Sequence, residues 1–291
     1  MSISEKIEAG KYVLLGEFEP PKGPNFSGLL RNANHVKGRL DALVIPEMAN
    51  AVVKASSLGG CAFLARHGFN AVFQASCRDR NRLALQADLL AASALGVSDM
   101  MAVNGEDIRF GDQPQARSVY DVDLMQLIET MAGLRKGKDM AGIELNSTPR
   151  FSIGATINAG AMGGALDIEL ENLEKMIDQG VEFVITTPVF DMHRFNQFAR
   201  RIAGMSISVI PTVLLLKSAG MARYIDRNIK NISIPSDLIR DIQKSPDKLK
   251  QCIKITADLI VKFKEKGMAG VMISTMGWED RLPLILDEAR L

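Results

Sequence analysis

Three histidines and three cysteines in 291 residues leave little material for several kinds of chemistry. Cys61, Cys77 and Cys252 lie far apart, with no CxxC pair and no Cys/His spacing of the kind that holds zinc. No metal site is expected. A sparse, odd number of thiols suits a reducing compartment, so a cytoplasmic protein is expected. Cys77 has no histidine near it in sequence and reads as a structural thiol, not a nucleophile. His35, His67 and His193 all fall in or at the ends of expected helices, which withdraws support from a Ser-His-Asp mechanism. An excess of one charge is also missing: 35 basic residues face 34 acidic ones. Neither nucleic acid nor a membrane surface is therefore an expected partner. The densest basic run, Lys262, Lys264 and Lys266, has Glu265 in its midst and reads as a solvated helix face. No apolar run reaches the ~18 residues of a membrane-spanning helix, and the opening MSISEKIEAGKY lacks the apolar centre of a secretion leader.

Short apolar runs are plentiful, and they alternate with longer amphipathic segments. Strands are expected at Tyr12–Phe18, Ala42–Glu47, Asn70–Ser76, Met100–Asn104, Phe151–Ile157, Phe183–Phe190, Ser208–Leu215 and Gly270–Met276. Most are rich in Val, Ile and Phe without strict polar alternation, as parallel strands covered on both faces are. Helical periodicity marks Asn81–Leu95, Asp123–Leu134, Leu166–Gln179, Met192–Ile202 and Lys248–Lys266. Eight strands separated by helices close naturally into one (β/α)8 barrel over residues 1–291, for which about 250 residues suffice. A doubly wound open sheet is the second choice. It is disfavoured because EFEPPKGP, not a GxGxxG fingerprint, follows the first strand.

In such a barrel the chemistry gathers at the C-terminal strand ends. Strand one ends in Glu17 and Glu19 before a double proline. A carboxyl buried there is either a general acid of raised pKa or a cap for loop amides. Strand three ends in SCRDRN, whose Arg/Asp alternation reads first as a loop ion-pair network. Strand four ends in Asn104, Gly105, Glu106 and Asp107, where glycine permits close backbone approach to a ligand. Strand five runs into the small-residue loop NAGAMGG, which has no P-loop lysine. Strand six ends in TTPVFD, and strand eight in Thr275, Met276, Gly277 and Trp278.

EFEPP at 17–21, SCRDRNRLALQADLLAASALG at 76–96, NGED at 104–107, VYDVDL at 119–124 and ITTPVFD at 185–191 together resemble the methylenetetrahydrofolate reductases, in order and spacing and over nearly the whole chain. The likeness is to the prokaryotic form that is a catalytic barrel alone. It implies a non-covalent flavin, FAD or alternatively FMN, whose reduced N5 passes a hydride to the methylene carbon of a reduced pterin. It also implies that Glu17 is the acid that protonates the pterin amine and opens the five-membered ring, a task that suits a buried glutamate. By the same likeness Gln74, Asn104, Gly105, Tyr120, Asp121, Thr156 and Lys175 contact the flavin, with Lys175 toward its phosphates. Glu17, Glu106, Thr187 and Met276 fall on the substrate side.

The sequence departs from the family pattern at four places. Glu106 stands for Asp, Thr187 for Gln, Pro46 for Thr and Gln74 for His. Glu106 keeps the negative charge that favours an iminium cation, and Asp107 beside it is an alternative. Thr187 cannot make the bidentate contact of Gln. The carrier is accordingly expected to be methylenetetrahydrofolate or a methanopterin analogue. The electron donor is open among NAD(P)H, ferredoxin, a deazaflavin and a partner flavoprotein, in a homo-oligomer or hetero-complex. Two other readings compete. One is a non-catalytic, flavin-binding partner subunit of a one-carbon redox complex. The other is a barrel lyase or aldolase, which would need a Schiff-base lysine or a metal cluster at the strand ends, and no expected strand carries that lysine.

Overall fold

The structure is a computed structural model that describes residues 1–230 and 232–291. Eight parallel strands close into a barrel in sequence order. They are β1 (Val13–Glu17), β2 (Ala42–Ile45), β3 (Ala71–Ser76), β4 (Asp99–Val103), β5 (Ser152–Ile157), β6 (Phe183–Pro188), β7 (Ser208–Leu214) and β8 (Gly270–Ser274). Ring closure is by β1 and β8, where Gly16 lies opposite Ile273. All eight expected strands are present, seven of them trimmed by one to a few residues, while β4 starts and ends one residue earlier than expected. Those trimmed ends are where pairing stops and strand-end side chains turn to the rim.

Helices α2 (Ser27–His35), α3 (Ser57–Ala65), α4 (Arg82–Ala94), α5 (Leu124–Arg135), α6 (Gly164–Asp178) and α7 (Met192–Arg201) cover the successive strands. Between β7 and β8 come three helices, α8 (Ala219–Asn228), α9 (Ser236–Lys244) and α10 (Lys248–Glu265), and α11 (Leu282–Glu288) closes the chain. The sequence marked only the last of the three; α8 and α9 carry their few apolar residues on one face but are short and mostly polar, about half the length of α10. Side-chain caps start most of these helices. Asn81 caps α4, Asp123 forms a capping box with Gln126 on α5, and Asp191 caps α7.

Two apolar layers hold the barrel. The outer one lies between strands and helices. The inner one fills the barrel with Leu15, Val44, Val72, Met101, Phe183 and Ile210, so the barrel is packed and not a pore. Gly154 on β5 makes room for this filling: a Cβ there would stand 2.4 Å from the Phe183 ring. The short helix α1 (Ile3–Glu8) plugs the N-terminal end with Ile3, whose amide donates to the buried Asp99 carboxylate at 2.7 Å. One end is thus sealed, and the C-terminal end is left for chemistry. No described helix is long and apolar enough to cross a membrane.

Candidate active site

Five of the residues chosen from sequence meet in one cleft at the mouth. Gln74 from β3, Asn104, Gly105 and Glu106 after β4, and Thr156 from β5 line a hollow of about 260 Å³, with Pro46 from the end of β2 as its far wall. Larger hollows of about 420 and 550 Å³ lie against α10 and α11 and at the plugged end of the barrel. Neither gathers strand-end groups, so position selects the smaller one.

The walls are rigid because of Arg78. Its side chain is 1% exposed. Its guanidinium grips Asp79 at 2.7 and 2.8 Å, donates to the Glu106 carbonyl at 3.1 Å and carboxylate at 3.4 Å, and donates to the Met48 carbonyl at 3.2 Å. One buried cation thereby ties together the loops that follow β2, β3 and β4. Arg80 bridges buried Glu47 and Asp88, and Arg82 clasps Asp121. The SCRDRN run is therefore the ion-pair network read from its alternation. Gly105 sits at φ +81°, and a Cβ on it would lie 2.6 Å from Ser76 Oγ and 2.8 Å from Arg78 Cβ. Only glycine lets the β4 loop settle against this hub.

On the opposite side of the mouth stands Glu17. The residue keeps a small opening to solvent, yet protein surrounds its carboxyl. Its Oε1 accepts from Ser274 on β8 at 3.0 Å. Burial lifts the carboxyl from 4.5 to about 7; the Ser274 bond opposes this, and Glu279 and Glu106 add to it. Glu19 takes a separate course and pairs with Lys54 on the loop after β2. Of the two acids before the double proline, Glu19 is ion-paired and Glu17 is the one that burial lifts toward neutral pH.

The remaining expected residues are spread around the rim. Thr187 is at the end of β6, where register shifts between Ile185 and Pro188, and its hydroxyl donates to Asn158 Oδ1 at 3.2 Å. Met276 follows β8 with φ +48°, and its carbonyl accepts from Lys217 at 2.6 Å. Tyr120 is exposed on the loop after β4, where its backbone N–H donates to the Cys77 carbonyl at 3.1 Å. Asp121 is committed to Arg82. Asp107 caps a turn of 3-10 helix and is held at about 2 by its hydrogen bonds with Arg109, so Glu106 is the acid that reaches the cleft. Lys175 does not join the others. It is exposed on α6, eleven residues past Gly164 and so about 16 Å below the rim at a rise of ~1.5 Å per residue.

Sequence reading passed over Ser274, Glu279 and Lys54. Ser274 and Glu279 lie on either side of TMGW, with no pattern to single them out. Lys54 sits in AVVKASS, the sequence of an ordinary loop, and becomes notable only because the fold sets it beside three acids. Lysine is present at the mouth after all: Lys54 follows β2 and Lys217 follows β7, and burial lowers the pKa of both. Lys54 is ion-paired to Glu19, and Lys217 lies 4.7 Å over the Trp278 ring. Among the described residues no cluster of His, Cys, Asp or Glu could hold a metal. All three cysteines are free and buried, and burial pushes the Cys61 thiol up to about 12.

A closed barrel with a glutamate of raised proton affinity on one side of its C-terminal mouth and a polar, hydrogen-bonding cleft on the other defines the class: a (β/α)8 barrel whose polar groups gather at the strand ends. The chain belongs to the methylenetetrahydrofolate reductase family, whose pattern it matches over residues 2–290. No curated protein matches it. Among solved structures it is similar to a 2,3-dimethylmalate lyase of the PEP mutase/isocitrate lyase superfamily, with TM-score 0.56 and 9% identity, covering 100% of this chain and 83% of that one. It is also similar to an EDTA monooxygenase from Chelativorans sp. BNC1, with TM-score 0.56 and 11% identity, covering 96% and 92%. At such identities the likeness is one of barrel architecture.

Proposed function

We propose that this reductase-family barrel uses a bound flavin to reduce a methylene group carried on a reduced pterin to the methyl form, or runs the reverse reaction. The single observation that carries the reading is the Glu17 carboxyl, held by burial near 7 at the mouth of a packed barrel. An acid with that proton affinity loses and regains its proton at working pH, which is what general acid catalysis asks of it.

The residues of the cleft suit the ring system of a flavin. The Gln74 oxygen accepts only a long 3.4 Å bond from the Glu47 amide. The amide nitrogen of Gln74 and the hydroxyl of Thr156 have no protein partner among the described residues, and Asn104 is exposed. Gln74, Asn104, Thr156 and the Gly105 backbone would hold the cofactor, and Tyr120 and Asp121 would meet parts that leave the cleft. When bound, the flavin supplies the hydride. The chain's own work is the rest. Glu17 delivers a proton to the pterin amine and opens the ring. Glu106 adds negative charge where the resulting cation needs it, without Asp107. Thr187, already bonded to Asn158, offers the pterin a smaller contact than glutamine would, which fits a carrier other than plain tetrahydrofolate. Met276 completes that side. The electron donor is a nicotinamide, ferredoxin, deazaflavin or partner flavoprotein that reduces the flavin through the same open cleft.

The test is an absorption spectrum of the purified protein, followed by chemical bleaching and addition of methylenetetrahydrofolate or its methanopterin counterpart. A yellow protein reoxidised by one of them supports the reading and identifies the carrier. A yellow protein that neither carrier reoxidises points to another pterin or to a flavin-binding partner subunit. A protein that takes up neither FAD nor FMN sinks the proposal.

A further inference from the structure

We infer that Glu279 is a positioning residue for Glu17: its carboxylate fixes the turn where β1 leaves the barrel and sets the field in which Glu17 holds its proton. The inference rests on the reading of Glu17 as the acid, but it makes its own claim about a residue that has no part in that reading.

Glu279 opens the short turn that follows β8 and leads into α11. It is 7% exposed, an unusual position for a carboxylate, which is costly to bury unless something uses it. Its Oε1 accepts from the Glu19 amide at 3.3 Å. Two residues earlier, at the end of β1, Glu17 accepts from Ser274 at 3.0 Å. Strand β1 is thus pinned to the β8 side twice, once on each side of Phe18, whose ring is fully buried. Neither bond is part of the regular ladder, in which Gly16 lies opposite Ile273. The two together hold the strand end that aims Glu17.

Charge gives the second half of the argument. Glu17 is faced by Ser274 from β8, Glu279 from the turn beyond it, Glu106 from the loop after β4 and Lys54 from the loop after β2. Glu279 is faced by Lys54, by Lys217 from the loop after β7 and by its neighbour Asp280. Both flanking lysines serve Glu279, while only Lys54 bears on Glu17. Burial raises the proton affinity of Glu279 as well, and wherever Glu279 is ionised its charge discourages ionisation of Glu17.

Replacing Glu279 with Gln keeps an acceptor for the Glu19 amide and removes the charge. Two measurements follow on the intact protein with and without flavin. One is the pH profile of turnover; the other is the infrared carboxyl band that Glu17→Gln abolishes, titrated against pH. In Glu279→Gln both the alkaline limb of turnover, where Glu17 loses its proton, and the band should move about one pH unit lower, a tenfold loss of proton affinity. In Glu279→Asp, which retains the charge, both should stay within about 0.3 unit. Should Glu279→Gln not fold, Glu279→Ser is uncharged and is read in the same way. A band that does not move overturns the inference and leaves Glu279 a residue of the fold alone. A band that moves while Glu17→Gln retains full turnover upholds Glu279 as the residue that tunes Glu17 and sinks the general-acid reading instead.

Discussion

The two halves of the barrel mouth handle charge in opposite ways. On the β8–β1–β2 side, Glu17, Glu19, Glu279 and Lys54 crowd together, and burial raises Glu17 and Glu279 and lowers Lys54. On the β3–β4–β5 side the arginines and aspartates are paired among themselves, and the cleft is left with Gln74, Asn104, Gly105 and Thr156. Charges that are left coupled and partly desolvated are poised to exchange protons; charges that are fully paired only brace loops. The difference separates proton chemistry from a neutral shelf for a flat ring, with Glu106 standing between them.

The sharpest way to break this contrast is at Glu17. Glu17→Gln should lower turnover by about 10²–10⁴-fold and leave flavin uptake unchanged, as read by steady-state kinetics and by the flavin spectrum. A variant that loses flavin instead would show that the two halves are not separate.

Arg78 is the matching target on the other side. Arg78→Met leaves Asp79 and the Met48 carbonyl without their buried partner and should cost about 3–5 kcal/mol in denaturant unfolding. Gly105→Ala should cost about 1–3 kcal/mol for its positive φ and its collision with Ser76, and should weaken flavin binding. Flavin affinity unchanged in a folded Gly105→Ala protein would move the ring out of this cleft.

The raised proton affinity of Glu17 has a stability consequence of definite sign. The folded state holds the proton up to about 7, whereas the unfolded chain releases it near 4.5, so the folded state binds more protons between those values. Stability from this group is therefore present below 4.5 and is lost as pH rises toward about 7. The loss amounts to at most ~3 kcal/mol. Glu17→Gln should accordingly gain on the wild type between pH 5 and 8 in paired unfolding curves. A constant difference between the two proteins would mean that Glu17 titrates normally. The smallest effect is expected at Lys175, which only a long cofactor lying along α6 can reach. Lys175→Ala should weaken FAD by about twofold to fivefold, as an exposed charge contact does, and leave FMN untouched. Equal effects on both would place Lys175 outside the site.

Much of the barrel was legible in the chain. Runs such as ALVI and FVI are apolar on both faces because the barrel buries both. Spacing between such runs leaves room for at least one covering helix each, so order and closure follow. The RDR alternation announced an ion-pair network, although only Arg78 and Asp79 pair within it and Arg80 reaches out to Glu47 and Asp88. Polar α8 and α9 escaped notice, since their cover comes from neighbouring helices and not from a broad apolar face of their own.

The acid group was only half legible. Glu17 and Glu19 are alike by type and spacing, and nothing local tells which keeps a proton. Lys54, which neutralises Glu19, comes from a loop 35 residues on. Ser274 and Glu279, which bind and tune Glu17, lie about 260 residues away, brought beside it only when β8 closes on β1. Strand pattern, helix periodicity and the residue types at the strand ends are properties of short stretches, and the sequence determined them by itself. Proton affinity depends on desolvation and on charges within a few ångströms, and only the closed tertiary structure decided which those are.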